Sequence, residues 1–317
     1  MVRWITMAAA FITLIGLNAA AFAQGEIRVV VTVAPLKGLI EPLLPEGSHL
    51  RVLMQPGRSE HGYEFSPEEL ADLARADVVV YVGLNLEPKV AALVAESKRP
   101  AGQRVVCFGE VAGIQKPGEP VPNTGHHEAA DHEHGDECDH DHEGYVDQHL
   151  WLDPVLVKEL LPVVTAAIKD AAAAKGATSE AQAKVEQAGL VVEARVQAVD
   201  AEWTSAFKEM AGAPIVTHHN AFSRPAERYG FKVAAVIRGV DGKDPTPADV
   251  KRVVDEIKAQ KARAIFVEPQ FNARAAERIA KVAKVKLARL DPLGDGDWFK
   301  LMTKNLESMK AALGESK

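Results

Sequence analysis

The sequence predicts an α/β protein of two similar lobes, each a four-stranded parallel sheet flanked by helices, joined by one long rigid helix. Three observations predict it. Short β-branched runs recur at helix-length intervals, four in each half of the chain. Their apolar character is continuous rather than alternating, which is the pattern of strands covered on both faces. A long stretch without proline, from Pro162 to Pro214, separates the two sets. Alternating strands and helices imply parallel pairing with right-handed crossovers.

The first element is a targeting segment. Met1–Ala23 opens with Arg3, continues as an apolar run from Ile5 to Leu17 and ends in Ala21-Phe22-Ala23. Small residues at both outer positions of that triplet fit cleavage before Gln24. The competing reading is a membrane anchor, disfavoured by Gly16, Asn18 and the small-residue end. The expected localisation of the mature chain is therefore outside the cytoplasm. The remaining boundaries are expected at 24–178 for the N-terminal lobe, 179–211 for the connecting helix and 212–317 for the C-terminal lobe.

In the first lobe the expected strands are Ile27–Val33, His49–Met54, Asp77–Gly83 and Gln103–Gly109. Ser66-Pro67-Glu68-Glu69 carries an N-cap serine, a proline at the first helical position and a capping-box glutamate. Asp153-Pro154 reads as another helix start, with Asp153 as the cap. The connecting helix follows. Val185, Ala188, Val192, Val196, Val199, Trp203, Phe207 and Met210 lie along one helical face. The alternative is a hairpin broken near Gly189. A single helix of roughly 50 Å is favoured, because the spacing runs through that glycine and its cost is only ~1 kcal/mol. The second lobe repeats the first, with strands at Ala213–His219, Lys232–Ile237, Ala264–Pro269 and Lys286–Asp291. Thr246-Pro247-Ala248-Asp249 is a further capped helix start.

Composition narrows the function. With 317 residues, 47% apolar and 26% charged, the chain has enough hydrophobic content for a sizeable core, which excludes global disorder. Two cysteines, Cys107 and Cys138, exclude a disulfide scaffold or a multi-cysteine zinc finger. Their mutual pairing is left open. A formal charge of −7 argues against a nucleic-acid partner. The acidity is concentrated in residues 123–143, which hold eight carboxylates, no Lys or Arg and six of the eleven histidines. These are His126, His127, His132, His134, His140 and His142. The insert, drawn at 123–147, lacks the hydrophobes needed to order it and is expected to be a mobile loop that binds metal weakly. Delivery of metal to a tighter site, or sensing of its abundance, is one role for it; a solvated linker is the other.

Of the other histidines, His49 opens a strand and reads as structural. His61 follows the second strand, His149 follows the fourth strand and the acidic insert, and His219 ends the first strand of the second lobe. In open parallel sheets ligands bind outside the carboxyl ends of the strands, so these three are expected to converge on one crevice between the lobes. Three imidazoles and one oxygen make a zinc-type site. Glu60 is the first candidate oxygen and Asp291 the alternative, although Asp291 before Pro292 also suits a turn. Glu268 is expected to orient a ligand from behind. His218 should point away from His219.

Those residues resemble a known family, the metal-binding solute receptors of ABC transporters (TroA-like). Glu60-His61-Gly62-Tyr63-Glu64 with Ser66-Pro67 looks like its first ligand motif. Asp147-Gln148-His149-Leu150-Trp151-Leu152-Asp153-Pro154 looks like the second. His219-Asn220-Ala221-Phe222, with Arg228-Tyr229-Gly230, looks like the third. Phe266–Phe271 and Leu290–Gly294 resemble two C-terminal blocks. The His-rich insert is similar to that of the zinc-uptake (ZnuA-type) branch.

The resemblance implies Zn2+ as transported ligand, held by His61, His149 and His219 with Glu60 or water as the fourth group. It also implies a membrane permease and its ATPase as partners, a periplasmic and monomeric receptor, and no catalysis. A carboxylate at the position of Asp291 serves manganese and iron members, so metal identity stays open at this point. A manganese or iron receptor, or a metal-linked adhesin, is the alternative on the same fold. A zinc hydrolase is the alternative of another class, without a His-Glu-x-x-His helix, nucleophile elbow or P-loop to support it. Two departures from the family pattern stand out. Asn220 replaces an acid, and the second lobe has no cysteine for the disulfide of some zinc members.

Overall fold

The computed structural model describes residues 25–95, 97–117, 146–238 and 245–314. The targeting segment, the six histidines of the acidic insert and Cys138 lie outside them. The first sheet is built from β1 (Arg28–Val31), β2 (His49–Val52), β3 (Val78–Tyr81) and β4 (Arg104–Cys107). The second contains β5 (Pro214–Thr217), β6 (Lys232–Val236), β7 (Ala264–Val267) and β8 (Lys286–Arg289). Every pairing is parallel, and the strand orders are β2-β1-β3-β4 and β6-β5-β7-β8. Each observed strand lies inside one of the eight expected runs. The two sheets share one winding, as expected of similar lobes.

The helices of the first half are α1 (Pro35–Ile40), α2 (Pro67–Arg75), α3 (Pro88–Val94), α4 (Phe108–Val111) and α5 (Pro154–Ala174). The connecting helix is α6 (Ser179–Met210). The second half adds α7 (Ser223–Tyr229), α8 (Pro247–Gln260), α9 (Arg274–Ala283) and α10 (Trp298–Leu313). The local signals act as expected. Ser66 and Glu69 close a complete capping box at α2, and Thr246 and Asp249 close another at α8. Asp153 caps α5 by accepting from the Val155 N–H. No helix among the described residues is long and apolar enough to cross a membrane.

The α6 helix is continuous over 32 residues. Its buried face is Val185, Gly189, Val192, Val196, Trp203, Phe207 and Met210. The face includes Gly189 itself, for which the apolar spacing gives no role. A Cβ there would stand 2.5 Å from Thr165 Oγ1 on α5, so the glycine lets α5 and α6 approach closely at this point. Farther along, Phe207 stacks on Tyr229 and Phe231 at 6.0 and 4.8 Å between ring centres. The helix thus rests on α5 at one end and on the second lobe at the other.

The alternation of strand side chains divides the second sheet between two cores. Ile215, Ala264 and Phe266 face the main core, which also holds the first sheet and α6. Val216, Ile265 and Val267 face a smaller cluster with Val253, Ile257 and Ile279 of α8 and α9. Burial on both faces is why these strands read as unbroken apolar runs.

A candidate metal centre between the two sheets

Parallel strands place all their carboxyl ends on one side, and the loops leaving those ends carry the site. Glu60 and His61 lie between β2 and α2, His149 sits just before the 3-10 turn Leu150–Leu152, and His219 follows β5. One ligand atom from each of Glu60, His61, His149 and His219 lies within 4.8 Å of the other three. Glu60 Oε1 is 2.8 Å from His149 Nε2, 3.6 Å from His219 Nε2 and 3.9 Å from His61 Nε2. The Nε2 atoms of His149 and His219 are 3.0 Å apart. In a tetrahedron with zinc–ligand bonds of about 2 Å, ligand atoms stand roughly 3.3 Å apart. The observed spacings bracket that value. The three imidazoles that sequence reasoning drew to one crevice are there, and so is the first candidate oxygen.

Burial and charge shape the cluster. Glu60, His149 and His219 are all buried, while His61 keeps partial exposure. His61 Nε2 is nevertheless buried without any hydrogen-bond partner, an orphan that a coordinated cation would satisfy. Burial pushes the His61 imidazole down to about 4. Burial acts against charge at Glu60 too, but hydrogen bonds from His149 and His219 and the nearby His61 hold its carboxyl well below the usual range. At His219 burial is again opposed, by the charge and hydrogen bond of Glu268 and by Glu60, and the ring is raised to about 10.

The groups behind the rings fix their orientation. Glu268 Oε2 lies 2.5 Å from His219 Nδ1, and Glu268 Oε1 accepts from the His219 main-chain N–H at 3.0 Å. That is the orienting role expected of it. Asp147 Oδ1 lies 2.7 Å from His149 Nδ1 and accepts from the His149 N–H at 2.9 Å. Both histidines thereby present Nε2 to the centre. His218 is outside the cluster; its Nδ1 faces the Glu268 N–H at 3.4 Å.

Two expectations change. Asp291 is not among the clustered groups. Its Oδ1 accepts from Gln270 Nε2 and from the N–H groups of Leu293 and Gly294, at 2.8, 3.0 and 3.0 Å. Three donors on one oxygen make it the organiser of the turn before Gly294, the alternative role its neighbour Pro292 suggests. Asp147, the last residue of the expected insert 123–147 and the first of the second ligand motif, is only 7% exposed and fully engaged. Two sequence signals mark it: its place two residues ahead of His149 and its position at the head of the second ligand motif.

Comparison with known proteins agrees with this geometry. A family model described as zinc-uptake complex component A, periplasmic (ZnuA), matches residues 29–312. The zinc-binding protein AdcA of Streptococcus pyogenes is 25% identical over 299 residues, covering 91% of this chain and 56% of that protein. The chain thus spans little more than half the length of such relatives. The high-affinity zinc uptake system protein ZnuA of Brucella suis is 27% identical over 318 residues, covering 90% of this chain and 92% of that protein. Among solved structures, a crystal structure of ZnuA gives a TM-score of 0.70 at 19% identity, covering 91% of this chain and 99% of that one. The periplasmic zinc-binding protein TroA from Treponema pallidum gives 0.71 at 20% identity, covering 91% and 99%. Two four-stranded parallel sheets and a match over nearly the whole described chain lead to one conclusion: the chain belongs to the zinc-uptake complex component A (ZnuA) family.

Proposed function

We propose that the chain is a non-catalytic, monomeric periplasmic receptor that captures Zn2+ and presents it to the membrane permease of an ATP-driven importer. Zinc is the cargo. Its ligands are His61, His149 and His219, with Glu60 as the fourth. The carrying observation is the convergence of three imidazoles and one carboxylate, from segments distant in sequence, within 4.8 Å of one another. Imidazole-rich tetrahedral sites suit zinc, whereas manganese prefers carboxylate and carbonyl oxygens. The engagement of Asp291 in its own turn weighs in the same direction. Family membership and the zinc-related names of the AdcA and ZnuA relatives support the cargo and the import role.

The test is metal analysis of untagged mature protein, followed by chelator competition. One tight zinc site is expected, lost separately in His61→Ala, His149→Ala and His219→Ala. Full affinity in any of the three refutes the ligand set. The six histidines of the insert would add weaker sites. Deleting 126–143 should lower the total zinc stoichiometry while leaving the tight site in place.

A further inference from the structure

We propose that Asp147 is a positioning residue for metal capture. It fixes the ring of His149 while anchoring that ring to the segment that carries His219. This inference rests on the zinc-site reading above. The carboxylate is buried, and each of its oxygens serves a different half of the molecule. Oδ1 accepts from the His149 main-chain N–H at 2.9 Å and takes Nδ1–H of the same residue at 2.7 Å. That bond places the Nδ1 proton away from the centre and leaves Nε2 as the electron-pair donor. Oδ2 accepts from the Ser223 hydroxyl and from the Arg224 N–H, the latter at 3.3 Å. The main-chain oxygen of Asp147 takes two more bonds, from Arg224 Nε at 3.0 Å and a terminal guanidinium nitrogen at 2.7 Å.

Ser223 and Arg224 follow His219 on the same connection, from β5 into α7. One side chain therefore orients one imidazole and ties it to the stretch that delivers another. The bonds of Ser223 and Arg224 hold the carboxylate in place, and the bond to Nδ1 is the one that acts on metal affinity. The Arg224 bonds to the main-chain oxygen do not depend on the side chain, so substitutions at 147 keep a link between the segments.

Three variants of the full mature chain separate these contributions, with Zn2+ affinity measured by chelator competition. Asp147→Ala should lose about 10- to 100-fold in affinity, the usual effect of removing a partner behind a ligand. Asp147→Asn should recover most of it, since its amide oxygen can still accept from His149 and its NH2 can donate to Ser223, with only the 3.3 Å bond from the Arg224 N–H lost. Ser223→Ala, which leaves the bonds from His149 and Arg224 to Asp147 in place, should lose less than Asp147→Ala. The accompanying signature is the hydrogen-bonded Nδ1 proton of His149 in NMR spectra of zinc-loaded protein. It should be present in wild type, Asp147→Asn and Ser223→Ala, and absent in Asp147→Ala.

Wild-type affinity in Asp147→Ala, with His149→Ala inactive, overturns the inference and leaves the zinc site standing. Equal losses in Ser223→Ala and Asp147→Ala, with the proton signal unchanged, also overturn it, because Asp147 would then act only as a tie. Full zinc affinity in His149→Ala removes the site and this inference together.

Discussion

Zinc capture should release protons, and the source can be assigned to a particular ring. In the metal-free protein His219 holds Glu268 on one nitrogen and faces Glu60 on the other, and its imidazole is raised from the ordinary 6.5 to about 10. His61, held near 4 by burial, is already neutral at pH 7. Zinc must therefore displace a proton from His219 but none from His61. His149 is raised as well, by Asp147 and Glu60 acting against burial, so any charge it carries adds to the count. One displaced proton makes affinity rise about tenfold per pH unit, about 100-fold between pH 6 and 8, or about 2.7 kcal/mol. Stability of the zinc-free protein should move the opposite way. A histidine raised from 6.5 to about 10 contributes its stability below 6.5 and loses it as pH climbs through about 10. Competition titrations across this range, with calorimetry in buffers of different ionisation enthalpy, count the protons directly. Zinc binding without proton release at pH 7 refutes the assignment. Glu268→Gln should lower both the count and the slope.

Three substitutions probe the frame around the site. Gly189→Ala gains ~1 kcal/mol of helix propensity but drives a methyl into Thr165 Oγ1; overpacking of this kind costs about 1–3 kcal/mol. Denaturant unfolding should therefore show net loss. Trp298→Phe removes the N–H that donates to the Trp151 main-chain oxygen at 2.7 Å; with that oxygen left buried, the loss should be about 1–3 kcal/mol by the same measurement. Asp291→Ala frees the Gln270, Leu293 and Gly294 donors. It should lower the melting temperature while zinc affinity by competition stays near wild type; collapse of affinity would return Asp291 to the ligand set.

What was legible in the sequence is what obeys local or periodic rules. Strands such as Val78–Tyr81, buried on both faces, stand out as unbroken apolar runs, and the caps at Ser66, Asp153 and Thr246 depend on residues two or three positions away. The three histidines were legible because parallel topology sends every strand end to the same side. The remaining features depend on partners far along the chain. Gly189 looks like a tolerated flaw until Thr165 is placed against it. Asp147 reads as the last acid of the insert and the head of a ligand motif, but its tie to Ser223 and Arg224, more than 70 residues later, has no local signature. Asp291 has the chemistry of a ligand and lies at a strand end, but neighbouring N–H groups claim its oxygen first.

Beyond the contact of His149 with His219, the tie at Asp147 is joined by further bridges from the segment 147–153 to the second half of the chain. Trp151 Nε1 donates to the Pro292 oxygen at 2.6 Å, and Trp298 Nε1 donates back to the Trp151 oxygen. Arg228 grips both oxygens of Asp153, at 2.5 and 2.6 Å. The segment is therefore joined mechanically to the half that carries His219. The segment bearing Glu60 and His61 is held differently. Apart from the contact of Glu60 with His149 inside the centre itself, the side-chain bonds of residues 57–63 are local, from His61 N–H to Ser59 Oγ at 3.3 Å and from Tyr63 Oη to the Leu53 oxygen at 3.3 Å. Gly57 and Gly62, both at positive φ, lie in the same stretch with open space beside them. A cation entering the centre thus meets a braced pair, His149 and His219, and a more yielding pair, Glu60 and His61. Local opening follows the number of tertiary bonds that must break. In zinc-free protein, amides of residues 57–63 should exchange with solvent faster than those of 147–153, and zinc should slow the first set more. Equal protection of both segments before zinc is added would contradict this division of the site.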